Sequence, residues 1–130
     1  MRILLDTQVW LWLQASPGRL TPEAMSLVRE PRNALLLSAA SSWEIAIKHA
    51  LGKLPLPDHP SAYVPERMRT SGVDGMPVDH AHALHVASLP HHHRDPFDRL
   101  LIAQAQLDGL VILTADANFR LYDVEVFPAG

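Results

Sequence analysis

Four acidic residues, far apart along the chain, form the pattern in this sequence that most strongly suggests chemistry. Asp6 follows the apolar run ILL, and Asp116 comes shortly after the apolar run LVIL. Glu44 and Asp98 lie in segments whose apolar spacing is typical of helices. Carboxylates gathered in one cleft repel one another unless cations neutralise them. Divalent ions held in this way promote displacement at phosphorus, so hydrolysis of a phosphate ester is the first chemistry to consider.

Each acid taken alone also has a purely structural explanation. Asp6 and Asp116 stand where helix N-caps are expected, and Glu44 has the four-residue spacing to Lys48 of a helical ion pair. Asp98 is placed to complete a capping box with the aspartate three residues before it. The joint pattern is harder to explain structurally, because two acids follow apolar strands and two occupy helix positions that can face the same sheet edge.

The donor types predict which ion such a cleft binds. Carboxylate oxygens without any cysteine favour Mg²⁺ or Mn²⁺ over zinc. A zinc site would have to be built from two histidine groups, namely His80, His82 and His85, and His91, His92 and His93. Consecutive side chains rarely converge on one ion, and no nearby motif completes a tetrahedral set. We therefore expect the second histidine group to lie in a solvated loop.

Five apolar runs predict the strands of a sheet: Arg2–Leu5, Asn33–Ser38, Gly75–Val78, Leu110–Leu113 and Val124–Phe127. The segments between them have helical spacing, with starts predicted at Thr21, at Ser41 or Ser42, at Asp79 and at Asp95. Alternating strands and helices predict an α/β fold with a parallel sheet covered on both faces. Ligand sites in such folds form beyond the carboxyl ends of the strands, where Asp6 and Asp116 fall.

Length and composition predict one globular domain spanning residues 1–130. The chain is 48% hydrophobic and 19% charged, and it has no linker, repeat or low-complexity segment. It has no cysteine and no apolar run of about 18 residues, so we expect no disulfide, no membrane span and a cytoplasmic location. The net charge of −3 argues mildly against binding to nucleic acid. Divalent ions in an acidic cleft would weaken that objection, because they reverse the local charge.

Four motifs, in order along nearly the whole chain, resemble those of a known family. They are LLDT at Asp6, SSWEIAIK at Glu44, LPHHHRDPFDRLLIAQA at Asp98 and LTADANF at Asp116. The chain resembles the PIN-domain nucleases, and among them the VapC-type toxins of bacterial toxin-antitoxin pairs. The third motif is the most specific, and the four together are stronger than any one alone. Gln8 departs from the pattern, since many relatives carry asparagine there.

The resemblance implies a PIN-like α/β/α sandwich with a central, mainly parallel sheet of about five strands. It also implies an endoribonuclease that depends on Mg²⁺ or Mn²⁺, with Asp6, Glu44, Asp98 and Asp116 as catalytic and metal-binding residues. Similar toxins often cut transfer or ribosomal RNA, are blocked by a small antitoxin protein, and form homodimers. These properties are expectations for this chain.

Residues beside the acids are candidates for supporting roles. Hydroxyls at Thr7 and Thr114 can orient a carboxylate, although ordinary turn hydrogen bonds explain them equally well. Arg99 is a candidate to hold phosphate oxygens, with an ion pair to Asp95 as the alternative. His93 belongs to the third motif, which places it near the substrate, and Asp95 is assigned to helix capping.

Three other functions are compatible with parts of this pattern. A stand-alone RNA-processing PIN nuclease would share all four acids. A scaffold that binds RNA or a partner without cutting would be expected to lack one of them, and this chain keeps all four. A receiver-like signalling module also binds Mg²⁺ at strand ends, but it needs paired acids after the first strand and a lysine after a late strand. The segments LLDT and LTAD provide neither feature.

Overall fold

The computed structural model describes residues 1–130 and has five strands and six helices. The strands are β1 (Arg2–Leu5), β2 (Ala34–Ser38), β3 (Val73–Met76), β4 (Val111–Thr114) and β5 (Glu125–Pro128). The helices are α1 (Thr7–Ala15), α2 (Pro22–Arg29), α3 (Ala39–Ala50), α4 (Pro60–Ser71), α5 (His80–His85) and α6 (Pro96–Asp108). Short 3₁₀ turns occupy Pro17–Arg19, Val86–Ser88 and Ala117–Leu121.

All five strands are parallel and lie in the order β3-β2-β1-β4-β5. β1 is central, with Leu4 opposite Leu36 on one side and Ile112 on the other. The chain order reverses on either side of β1, so the crevice between its carboxyl end and that of β4 is where a ligand site is expected in such a sheet. The α/β sandwich with a parallel five-stranded sheet, predicted from the sequence, is confirmed.

The central strands β1, β2 and β4 are mostly apolar because helices cover both faces of the sheet. Side chains alternate between the faces, so Ile3 and Leu5 join one core with Trp10 of α1, while Leu4 joins the other with Ile102 of α6. All five of these side chains are fully buried. The two cores fix the ends of β1 and β4, on which Asp6 and Asp116 depend.

Several element boundaries differ from those predicted. The helix expected from Ser41 or Ser42 starts at Ala39, where the Ser38 hydroxyl accepts a hydrogen bond from the Ala40 N–H. Helix α4, for which no start was predicted, begins at Pro60, where a missing N–H costs nothing in the first turn. The helix predicted to start at Asp79 changes to a 3₁₀ turn after His85. No helix combines the length and hydrophobicity needed to cross a bilayer.

Gly109 ends α6 and lets the chain turn directly into β4. Its φ of 66° is left-handed, and its N–H donates to the Ala105 carbonyl, as in a common helix C-cap. No atom lies within 4 Å of the position that a Cβ would occupy, so only backbone strain would oppose a side chain there.

We predict that Gly109→Ala lowers the free energy of unfolding by about 1 kcal/mol, because alanine is strained at positive φ. Urea unfolding followed by circular dichroism measures this change. Gly18→Ala is the matched control, because Gly18 also has open space around it but no positive φ. Equal effects of the two substitutions would contradict the assignment of strain to Gly109.

Candidate metal centre

The four acids predicted from the sequence line one cleft of about 520 Å³ at the carboxyl edge of the sheet. Asp6 follows β1 and Asp116 follows β4, while Glu44 comes from α3 and Asp98 from the first turn of α6. The structure thus brings together all four residues, which span 110 positions of sequence. A fifth carboxylate, that of Asp95, also lines the cleft.

Thr114 ties Asp6 to Asp116. Its hydroxyl donates to Asp6 Oδ2 at 2.7 Å and accepts the Asp116 N–H at 3.0 Å. The Asp6 N–H donates to the Leu113 carbonyl at 3.0 Å, which extends the β1–β4 pairing by one residue. The Asp6 carboxylate makes no capping hydrogen bond, so the structural explanation of this residue as an N-cap fails for its side chain. The Thr114 hydroxyl thus makes both a hydrogen bond to a carboxylate and an ordinary turn hydrogen bond.

Asp116 combines a structural and a potential ligand role. Its Oδ1 caps the 3₁₀ turn that follows, by accepting the Asn118 N–H at 2.9 Å and the Asn118 side-chain amide at 3.0 Å. These bonds fix the carboxylate in the cleft while the second oxygen takes no hydrogen bond from the protein.

Glu44 is the acid most deeply held, with 5% of its surface exposed. Its Oε2 accepts from Lys48 Nζ at 2.5 Å, as the four-residue spacing predicted. Its Oε1 is buried and has no hydrogen-bond partner. Leaving a carboxylate oxygen buried without a partner is costly, so this atom marks a position prepared for a cation or a polar group.

Asp98 is held by the loop that precedes its own helix. Its Oδ2 lies 2.9 Å from Nε2 of His93. Asp95 caps α6 by accepting the N–H groups of Phe97 and Asp98 at 2.8 and 3.0 Å, which confirms its capping assignment. Asp98 does not complete the expected capping box, because its carboxylate turns toward the cleft and His93.

Burial and mutual repulsion favour the protonated form of two of the acids. Burial raises the pKa of Asp6 to about 6, with Glu44 and Asp116 adding to the rise and the Thr114 hydrogen bond opposing it. Burial likewise raises the pKa of Asp98 to about 7, against the hydrogen bond from His93. Hydrogen bonding to Glu44 raises the pKa of Lys48, so that lysine stays charged. The cleft therefore carries more acidic than basic groups.

The residues present fit a divalent cation. Five carboxylates face only two ammonium groups, those of Lys48 and Lys53, around the cleft. Ligand atoms of His93, Asp98 and Asp116 lie within 4.8 Å of one another, and Glu44 contributes the oxygen without a partner. Oxygen-rich donor sets of this kind suit Mg²⁺ and Mn²⁺.

Two of the supporting roles expected from the sequence need correction. The Thr7 hydroxyl donates to Ser41 Oγ at 2.8 Å, so it anchors α1 to α3 and does not orient an acid. Arg99 is buried, and its guanidinium donates to the carbonyls of Val86, Leu89 and Pro90 at 2.7 to 3.4 Å. It therefore neither lines the cleft nor pairs with Asp95, because these carbonyls and the Tyr122 hydroxyl take up its guanidinium.

The two histidine groups lie in different parts of the structure, and only His93 contacts one of the four acids. His82 pairs with Asp108 at 2.9 Å and His85 with Gln106 at 2.7 Å, away from the acids. His91 and His92 are exposed, and His93 alone reaches the cluster. Lys53 also lines the cleft but was not predicted, because no local spacing in the sequence relates it to the acids.

Comparisons with known proteins point to one family. The model of the PIN domain family matches residues 3–125. Ribonuclease VapC16 of Mycobacterium tuberculosis is 54% identical over 63 residues, a match that spans 48% of this chain and only 45% of that relative.

Solved structures show the same fold. VapBC2 from Rickettsia felis, bound to a DNA fragment from its promoter, has a TM-score of 0.73 at 11% identity and full coverage of both chains. A toxin-antitoxin complex from Klebsiella pneumoniae has a TM-score of 0.55 at 18% identity, covering 88% of this chain and 86% of that one. At these identities the likeness extends to the fold alone.

We predict that Asp6→Asn raises the stability of the metal-free protein at pH 7.5 by about 1–3 kcal/mol. An aspartate whose pKa is higher in the folded than in the unfolded chain destabilises the fold where it is ionised. This penalty is absent below pH 3.8 and grows as pH rises through about 6. Urea unfolding between pH 4.5 and 7.5 should therefore show wild type losing stability as pH rises, and the variant losing less.

The control for this prediction is Asp74→Asn, because Asp74 is exposed on β3 and outside the cleft. Its profile should follow that of wild type. An Asp6→Asn profile parallel to wild type would show that Asp6 carries no such penalty.

Proposed function

The chain belongs to the PIN-domain family, and we propose that it is an endoribonuclease that depends on Mg²⁺ or Mn²⁺ and serves as the toxin of a toxin-antitoxin pair. One observation carries the proposal: four acids from distant parts of the chain line one cleft, in which a buried oxygen of Glu44 has no partner. The partial match to a ribonuclease supports RNA as the substrate.

We assign metal binding to Asp6, Asp98, Asp116 and Glu44. A divalent ion bound there supplies positive charge to the phosphate and makes a water easier to deprotonate. Thr114 holds Asp6 in a fixed orientation through its 2.7 Å hydrogen bond, so the carboxylate needs little reorganisation. Lys48 donates to one Glu44 oxygen, and the other oxygen is buried without a hydrogen-bond partner.

Basic side chains around the cleft can bind the phosphates of the RNA backbone. Lys48 and Lys53 line it, and Arg94 is exposed in the loop between His93 and Asp95. Such contacts attract phosphates regardless of base sequence. The net charge of −3 does not oppose them, because part of the negative charge lies within the site itself. We propose single-stranded regions of transfer or ribosomal RNA as the substrate class.

We further propose a small antitoxin protein as partner, a homodimer as the functional assembly and the cytoplasm as the location. The antitoxin proposal is supported by the fold shared with a toxin-antitoxin complex. A stand-alone RNA-processing nuclease is the alternative within the same family. A receiver-like module is disfavoured, because Glu44 and Asp98 reach the site from helices and no lysine follows β4.

We predict that the purified protein cuts RNA in the presence of Mg²⁺ or Mn²⁺ and stops when the ion is chelated. Asp6→Asn and Asp98→Asn should each lower the rate by about a thousandfold or more, because each removes a charged ligand of the proposed ion. End-labelled RNA resolved on denaturing gels measures the rate, and circular dichroism checks that each variant is folded.

Asp74→Asn serves again as control and should cut at the rate of wild type. Full activity of either cleft variant would remove that residue from the catalytic set. Cleavage that persists in chelator with wild-type protein would refute metal dependence altogether.

The toxin assignment is tested by growth. We predict that induced expression of the chain arrests a bacterial host, that Asp98→Asn abolishes the arrest, and that co-expression of the small protein encoded beside the gene restores growth. Normal growth of cells expressing a protein that cuts RNA in vitro would favour the stand-alone nuclease instead.

A further inference from the structure

His93 is the one nitrogen ligand that the fold places among the acids. Its Nε2 lies 2.9 Å from Asp98 Oδ2, and ligand atoms of His93, Asp98 and Asp116 all lie within 4.8 Å of one another. The imidazole is about four-fifths buried, with 19% of its side-chain surface exposed. It is therefore packed beside Asp98, unlike the exposed His91 and His92 that precede it.

A buried clamp fixes the loop that carries this imidazole. The Tyr122 hydroxyl accepts the His93 backbone N–H at 2.9 Å and also a hydrogen bond from the Arg99 guanidinium at 3.1 Å. Arg99 in turn holds the carbonyls of Leu89 and Pro90, at the start of the same loop. The clamp acts on the backbone, so it positions residue 93 whatever its side chain is.

The spacing of these atoms is that of neighbouring ligands around one ion. Ligands at about 2.1 Å from a metal and at right angles to each other are separated by roughly 3 Å. The separation of His93 Nε2 and Asp98 Oδ2 matches this value. Glu44, whose buried Oε1 has no hydrogen-bond partner, lines the same cleft as Asp98 and Asp116 and is an independent sign that a cation fits there.

We propose that His93 Nε2, Asp98 and Asp116 form a mixed nitrogen and oxygen site for a first-row transition ion, for which Mn²⁺ is the probe. The proposal deepens the proposed function and rests on its metal centre. An imidazole binds metal through the lone pair of a neutral ring nitrogen, so a bound ion would take the place of the hydrogen bond between His93 Nε2 and Asp98. Imidazole nitrogen suits transition ions, whereas Mg²⁺ takes oxygen ligands. The site therefore prefers Mn²⁺ over Mg²⁺.

Pulsed electron paramagnetic resonance of Mn²⁺ added to the full chain tests the proposal, because it detects a directly coordinated ¹⁴N nucleus. Wild type should show the ¹⁴N coupling, and His93→Gln should lose it while its amide keeps a hydrogen bond to Asp98. In calorimetric titrations, His93→Gln should lower the affinity for Mn²⁺ by about tenfold or more and leave that for Mg²⁺ nearly unchanged. His91→Ala is the matched control from the same loop and should behave as wild type.

Absence of ¹⁴N coupling in wild type, or equal Mn²⁺ affinity of wild type and a folded His93→Gln variant, overturns the proposal. Either result would leave His93 as a residue that only orients Asp98. RNA cleavage by the same preparations in Mg²⁺ separates this failure from failure of the nuclease proposal. Cleavage without ¹⁴N coupling rejects the nitrogen ligand alone, and ¹⁴N coupling without cleavage supports the metal site while rejecting the nuclease.

Discussion

Burial of several carboxylates in one cleft is the constraint on which the rest of this structure depends. Burial and neighbouring charge raise the pKa of Asp6 to about 6 and that of Asp98 to about 7. A fold optimised for stability alone would separate these groups or pair them, since buried charges without partners are costly. This chain instead holds five of them beside two lysines, and this imbalance is the physical basis of the cation binding proposed for it.

Two apolar cores, one on each face of the sheet, hold these carboxylates in place despite the cost of burying them. β1 and β4 are buried between two apolar cores, and their pairing continues into Asp6 through its bond to the Leu113 carbonyl. Thr114 then links two acids with one hydroxyl. Because these supports belong to the backbone and the sheet, the acids stay together in the absence of an ion, and an ion that binds meets a site already formed.

The same residues serve structure and site at once, which explains why single motifs were ambiguous. Asp116 caps a turn and faces the cleft, Glu44 pairs with Lys48 and still offers an oxygen, and Asp95 caps α6 while lining the pocket. The structural and functional explanations of these acids were therefore never alternatives. For Asp6 and Asp98 the capping explanation fails, since neither carboxylate caps a helix.

The sequence by itself determined the α/β class, the strands and the four acids, because apolar runs and helix caps are local signals read within a few residues. It did not determine where Thr7, Arg99 and His93 point. Thr7 turns to Ser41 and Arg99 to carbonyls of the 86–90 segment, whereas His93 reaches Asp98 because Tyr122 holds its loop. Those outcomes were decided by tertiary structure, because a hydrogen-bonding side chain takes whichever partner the packing brings within about 3 Å. Partners up to 34 residues apart cannot be recognised from a local spacing in the sequence.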